Sequence, residues 1–301
     1  MKPLVYTWPG YAAVGAALVA GLNAEAGEIA VRHFPDGETY VRLLTPPAGR
    51  SVILACGLDR PDEKLSSLQF AAVTARELGA IRIGLVAPYL AYMRQDARFH
   101  EGEAVAARAF AGWLSWIVDW LVTVDPHLHR YAKLGEIYPI ATAIASSTTA
   151  ISRWITANVT DPLVIGPDAE SRQWAAAVAN GANCPCLVLE KVRRGDRDVE
   201  ITIPNLAGAA GRTPVLVDDI ISTARTMAAA VKHLRAAGTP APVCIGVHAL
   251  FGGDALPCLV QAGVREVITC NTVAHATNAI DVLPHLADSA RDLLNAWVER
   301  A

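Results

Sequence analysis

Residues 215–226 read Val215-Leu216-Val217-Asp218-Asp219-Ile220-Ile221-Ser222-Thr223-Ala224-Arg225-Thr226. An apolar, strand-like run at 214–217 ends in two adjacent carboxylates. A short loop of small and hydroxyl residues follows, and then a helix-like segment from Met227 to Ala237, closed by Gly238. A strand, an acidic pair, a small loop and a helix start suit a phosphorylated sugar. The carboxylates accept hydrogen bonds from sugar hydroxyls. The loop's N–H groups and hydroxyls hold a phosphate at the helix N-terminus. Taken singly, the parts are also ordinary: acidic pairs end many strands, and Asp or Ser before a helix is commonly only a cap.

Outward from this stretch, strands and helices alternate along the whole chain. Strand-like runs fall at 4–7, 51–56, 82–87, 120–124, 163–166, 185–189, 214–217, 243–249 and 266–270. Between them lie Ala-rich amphipathic segments at 66–78, 104–116, 169–180, 226–237 and 256–262. Such alternation predicts α/β architecture with parallel sheets flanked by helices. The pattern divides near residue 145 into two similar tandem domains, 1–145 and 146–301. The run Ser146-Ser147-Thr148-Thr149 marks the boundary or opens a helix. The segment 284–300 reads as a last helix that packs back on either domain.

Length and composition fit this reading. The chain has 301 residues, 52% of them hydrophobic and 6% aromatic, enough for two cores with close helix–sheet packing. A net charge of −3 gives no basic footprint for nucleic acid. The apolar run 11–22 is too short to span a bilayer and has no basic segment before it, so neither a membrane span nor a signal peptide is expected. The six cysteines read as reduced thiols of a cytoplasmic protein; Cys184-Pro185-Cys186 is the one close pair, and no second pair with zinc-type spacing accompanies it.

Five further clusters carry chemistry, each with an ordinary alternative. The stretch 33–42, His-Phe-Pro-Asp-Gly-Glu-Thr-Tyr-Val-Arg, is a polar turn of hairpin type. Arg94-Gln95-Asp96, just after the strand-like run 82–87, offers a cation, an amide and an acceptor to a nucleotide, or forms a solvated turn with an internal Arg–Asp pair. His127 and His129 follow the run 120–124 as metal ligands or as packing histidines. Asp168 caps a helix or binds a cation with phosphates. The segment 191–198, Lys-Val-Arg-Arg-Gly-Asp-Arg-Asp, reads as an exposed, mobile loop, either a solvated charge run or a cationic lid for a polyphosphate.

In order, these motifs resemble those of the ribose-phosphate pyrophosphokinases, whose domains are of the type I phosphoribosyltransferase kind. The stretch 215–226 is similar to the phosphoribosyl-diphosphate motif Val-Asp-Asp-Ile-Ile-Asp-Thr-Ala/Gly-Gly-Thr, with Ser222 in place of Asp and Arg225 in place of Gly. Phe34-Pro-Asp-Gly-Glu38, Pro88-Tyr-Leu-Ala-Tyr-Met-Arg-Gln-Asp96, Asp125-Pro-His127, Gly166-Pro-Asp168 and Lys191-Val-Arg193 resemble the family's other motifs, and Phe34-Pro35, Glu190-Lys191 and Ile221-Ser222-Thr223 lean toward archaeal-type members. The resemblance implies a homo-oligomeric enzyme acting on ATP and ribose 5-phosphate with Mg²⁺. It implies that Phe34, Asp36, Gly37, Glu38, Arg94 and Gln95 bind ATP, with Phe34 reaching a neighbouring subunit's site. Lys191 and Arg193 would be catalytic, and His127 and Asp168 would serve Mg²⁺. Asp218, Asp219, Ser222, Thr223, Ala224, Arg225 and Thr226 would bind ribose 5-phosphate. Arg225 leaves a non-catalytic relative as a second reading, because Gly in such a loop commonly serves a positive φ. A phosphoribosyltransferase is a third reading, which leaves Arg94 to Asp96 and Lys191 unexplained.

Overall fold

A computed structural model describes residues 1–167, 171–193, 199–202 and 211–298. The chain forms two compact units, Met1–Ser146 with Leu283–Ala301, and Ser147–Val282. Unit 1 runs β1 (Leu4–Thr7), α1 (Ala12–Gly21), β2 (Glu25–Gly27), β3 (Ile29–His33), β4 (Thr39–Leu43), β5 (Ser51–Ala55), α2 (Leu65–Glu77), β6 (Arg82–Ala87), α3 (Ala106–Ile117), β7 (Trp120–Val124) and β8 (Ala141–Ala145). Unit 2 runs α4 (Thr148–Asn158), β9 (Pro162–Gly166), α5 (Arg172–Gly181), β10 (Cys186–Val188), β11 (Glu190–Arg193), β12 (Val199–Thr202), β13 (Thr213–Ile221), α6 (Arg225–Ala236), β14 (Val243–Ala249), α7 (Ala255–Ala262), β15 (Glu266–Cys270) and β16 (Asn278–Ile280). The last helix, α8 (Leu283–Val298), belongs to unit 1 and packs on α1. That approach is close: a Cβ on Gly21 would lie 2.7 Å from the Ala287 Cβ.

The main sheet of unit 1 is ordered β2-β1-β5-β6-β7-β8, and that of unit 2 β10-β9-β13-β14-β15-β16. All neighbours in both sheets are parallel. The order is the same in both: the first strand lies between the second and the third, and the rest follow in sequence. Each unit also inserts one antiparallel pair after its second sheet strand, β3–β4 in unit 1 and β11–β12 in unit 2. The expected α/β fold with two parallel sheets is therefore what the chain adopts. The central strands are buried along nearly their whole length, which explains their continuous apolar runs. Gly84 on β6 faces Trp120 on β7, and a Cβ there would meet the indole at 1.9 Å.

Two expectations need correction. The strand read at 214–217 continues through the acidic pair to Ile221, because Ile220 and Ile221 keep pairing with His248 and Ala249 of β14. The stretch expected to be a mobile loop from Lys191 onward begins as a strand instead: Lys191 pairs with Ile201 and Arg193 with Val199. Residues 194–198 lie outside the described residues, and so does Asp168. Among the described residues no helix is long and apolar enough to cross a membrane.

Candidate active site

In a parallel sheet of this order, the order in which strands are added reverses between the first and third strands, and ligands bind beyond the strands' C-terminal ends at that point. In unit 2 this is the gap between β9 and β13, where the acidic pair and the 222–226 loop stand. Asp218 and Asp219 are half-buried on β13, and the Asp218 carboxylate accepts the Asp219 N–H at 3.0 Å. The loop behind them is fixed by the backbone: Leu250 N–H donates to Ile221 O at 3.1 Å and Gly252 N–H to Ser222 O at 3.2 Å. Ser222 is half-buried, whereas Thr223, Arg225 and Thr226 are exposed. Ala224 is buried.

The start of α6 is uncapped by a side chain, like the starts of α1 to α5 and α7. Its N-cap residue is Ala224. An alanine cap leaves the first-turn N–H groups unsatisfied, at a cost of about 1 kcal/mol relative to Ser or Asp, unless a ligand takes their bonds. Ala224 has φ +58°, while Arg225 is already the first helical residue and is absent from the positive-φ positions. The concern that Arg225 occupies a glycine conformation is therefore corrected. The left-handed residue is its neighbour, and the exposed Arg225 side chain emerges at the helix mouth.

The equivalent loop of unit 1, between β5 and α2, is closed by its own residues. The Lys64 ammonium donates to Tyr11 Oη at 2.6 Å and Gly57 O at 3.0 Å and pairs with Asp59 Oδ1 at 3.2 Å. Tyr11 also donates to Asp59. Burial, then the Asp59 bond, pushes the Tyr11 phenol far above its ordinary value. The loop position that carries the hydroxyl stretch 222–226 in unit 2 is thus filled by a cation and a phenol in unit 1.

Unit 1 instead presents a turn and a loop. The β3–β4 turn is exposed and internally bonded: Phe34 N–H donates to Glu38 O at 2.8 Å, Gly37 N–H to Phe34 O at 2.9 Å, and Glu38 N–H to Asp36 Oδ1 at 3.1 Å. Gly37 has φ +91°, which favours glycine there. After β6, Tyr92 takes φ +62°, its hydroxyl donates to Asp62, and Gln95 N–H closes back on Tyr92 O at 3.0 Å. The Asp62 bond pushes the Tyr92 phenol up to about 12. Arg94 and Gln95 are exposed. Asp96 pairs with Arg130 at 3.3 Å, a partner 34 positions away (130 − 96) that no local motif signals. After β7, His127 is half-buried, with its ring centroid 3.6 Å from that of His129.

Lys191 and Arg193 lie on β11, on the antiparallel pair that occupies the same place in unit 2 as the Phe34 hairpin does in unit 1. The structure therefore brings Asp218, Asp219 and 222–226 together at one strand end, groups Phe34, Asp36, Gly37 and Glu38 on one turn, and places Arg94 with Gln95 on one loop.

Two six-stranded parallel sheets of one strand order, each flanked by helices, define an α/β protein with two phosphoribosyltransferase-type domains. Family models agree: "Phosphoribosyl transferase domain" matches residues 133–285, and "N-terminal domain of ribose phosphate pyrophosphokinase" matches residues 9–117. The chain belongs to the ribose-phosphate pyrophosphokinase family. It is 34% identical over 283 residues to the ribose-phosphate pyrophosphokinase of Methanopyrus kandleri, covering 93% of this chain and 96% of that one. It is 33% identical over 264 residues to that of Sulfolobus acidocaldarius, covering 86% and 89%. Phosphoribosylpyrophosphate synthetase from Mycobacterium smegmatis has the same fold, with a TM-score of 0.84 over 98% of this chain and 100% of that chain at 22% identity.

Proposed function

We propose that this chain is a ribose-phosphate diphosphokinase, transferring the β,γ-diphosphoryl group of ATP to the C1 hydroxyl of ribose 5-phosphate. The hydroxyl oxygen attacks the β-phosphorus, the bond from that phosphorus to the α,β-bridging oxygen breaks, and AMP leaves with the bridging oxygen. The hydroxyl proton passes to solvent. The products are phosphoribosyl diphosphate and AMP. The observation that carries this reading is the β13–α6 corner: two adjacent carboxylates on the strand, followed by the hydroxyl-bearing stretch 222–226 at the helix start.

Asp218 and Asp219 accept hydrogen bonds from the ribose hydroxyls, which fixes the ring and aims C1. The N–H groups and hydroxyls of Ser222, Thr223, Ala224 and Thr226 hold the 5-phosphate, and Arg225 adds a cation at its rim. Lys191 and Arg193 neutralise charge on the transferring group, the main need in phosphoryl-type transfer. On the nucleotide side, Phe34 stacks on the base, and Asp36, Gly37 and Glu38 offer it polar edges. Arg94 and Gln95 grip the nucleotide. Residues up to about 145 thus form the nucleotide domain, and 146 onward the ribose 5-phosphate domain, with α8 returning to the first. Phe34 serves a neighbouring copy's nucleotide, so the working enzyme is a cytoplasmic homo-oligomer.

The cofactor is Mg²⁺. A half-buried imidazole such as that of His127, sharing a cation with phosphate oxygens, suits a divalent ion that keeps several waters. His127 and Asp168 hold it, and when bound it supplies charge neutralisation on the phosphate oxygens.

Incubation of the purified chain with ATP, Mg²⁺ and ribose 5-phosphate tests the reaction, with products resolved by chromatography. AMP and phosphoribosyl diphosphate are expected. ADP would make it a simple kinase, and no turnover would leave a non-catalytic relative. Lys191→Ala is expected to lower kcat by at least about a hundredfold while circular dichroism stays unchanged. Near-normal turnover would remove Lys191 from the chemistry.

A further inference from the structure

Across the β3–β4 ladder Arg32 pairs with Tyr40, which puts both side chains on one face of the hairpin. The Arg32 guanidinium carbon lies 4.6 Å from the Phe34 ring centroid and 4.3 Å from that of Tyr40. The two rings meet at 87° with centroids 6.0 Å apart. The cation therefore fills the corner that the rings make, within cation–π range of both.

The turn's backbone is already fixed by its own hydrogen bonds, so the freedom that remains at Phe34 is rotation of its side chain. At 39% exposure, Phe34 keeps part of its surface free for a ligand, and Arg32 and Tyr40 flank its ring. An aromatic group that must stack on a flat ligand binds more tightly when its orientation is set beforehand, because no rotamer entropy is lost on binding.

We infer that Arg32, backed by Tyr40, is a positioning residue for the purine base of the nucleotide. The guanidinium holds Phe34 in one orientation, so that ring surface not covered by Arg32 is presented to the base. Tyr40 holds the guanidinium from the second side of the corner. Neither residue touches a reacting atom. Planarity matters here: a guanidinium stacks on two ring faces, and an ammonium on a flexible stem does so less well. This inference rests on the assignment of Phe34 to the base.

The test is steady-state kinetics on the full chain with MgATP and ribose 5-phosphate, with subunit mass checked by light scattering. Arg32→Gln and Tyr40→Leu are each expected to raise the KM for MgATP about fivefold, with kcat, the KM for ribose 5-phosphate and the assembly unchanged. Tyr40→Phe keeps the ring and should restore the KM that Tyr40→Leu loses. The double variant Arg32→Gln with Tyr40→Leu should be no worse than the weaker single, since both act through one contact. Phe34→Ala separates the two ideas. If it raises the KM for MgATP while Arg32→Gln and Tyr40→Leu do not, the positioning role is overturned and the base assignment stands. If Phe34→Ala itself leaves that KM unchanged, the base assignment fails and the inference falls with it. Joint loss of kcat and both substrates' KM, together with a change of subunit mass, would show a merely structural role and also overturn it.

Discussion

Ala224 carries an unusual load for a small residue. It sits in the left-handed region at φ +58°, where a Cβ costs about 1–2 kcal/mol, and it serves as N-cap without a capping atom. Ala224→Gly removes that strain but loosens the unfolded chain, so a net gain of about 0.5–1 kcal/mol is expected; an unchanged or lower Tm in calorimetry would sink this. Arg225→Gly acts differently. Arg225 is helical and exposed, so its loss relieves no positive φ and removes a cation at the helix mouth. The KM for ribose 5-phosphate is expected to rise about tenfold, and a fall would mean that Arg225 obstructs the phosphate. The acidic pair and hydroxyl loop were legible because their chemistry is written in adjacent residues. The backbone turn was not: the loop start is held by bonds from Leu250 and Gly252, which come from a different strand end, and the left-handed φ falls on Ala224 rather than Arg225.

Among the elements, the strands buried on both faces were the easiest to read. The runs 4–7, 82–87, 120–124, 243–249 and 266–270 coincide with β1, β6, β7, β14 and β15, because a parallel strand covered on both sides must be continuously apolar. β2, β8 and β16 escaped. β2 and β16 are three residues each, and β8 is Ala-Thr-Ala-Ile-Ala, in which three alanines dilute the strand signal. The β11–β12 pair escaped because Glu-Lys-Val-Arg carries too much charge to show a buried face. What fixes the sheet spacing is clearer at Gly84. Its missing side chain is the space that the buried Trp120 indole occupies. Gly84→Ala is expected to destabilise unit 1 by about 2–3 kcal/mol. Urea unfolding would show it, and a shift under about 0.5 kcal/mol would mean that Trp120 repacks freely.

For the molecule as a whole, alternation and paired motifs revealed two α/β halves, but not that the halves share one strand order or that α8 belongs with the first. Order and long-range packing are set by contacts with no local signature. A whole-molecule property also follows from the buried thiols. Burial, first among the causes, pushes Cys56 up to about 12, and burial with the nearby Asp218 carboxylate pushes Cys244 higher still. Both folded values exceed the ordinary 9.0, so this contribution to stability is complete below pH 9 and is lost as pH rises toward about 12. The buried phenols of Tyr11 and Tyr138 act in the same direction at somewhat higher pH. Tm should fall by a few degrees as pH rises from 9 toward about 10.5. Cys244→Ala should flatten the alkaline limb; an identical limb in that variant would count against the thiol as its source.

The return of α8 to α1 also bears on how the molecule is made. On the ribosome, Val282 closes the sequence of the second unit before Leu283 begins the helix that the first unit still lacks. Domains fold as units while the nascent chain lengthens. The unit whose synthesis starts first is therefore the one completed last, and until α8 emerges the narrow seat at Gly21 waits uncovered for Ala287.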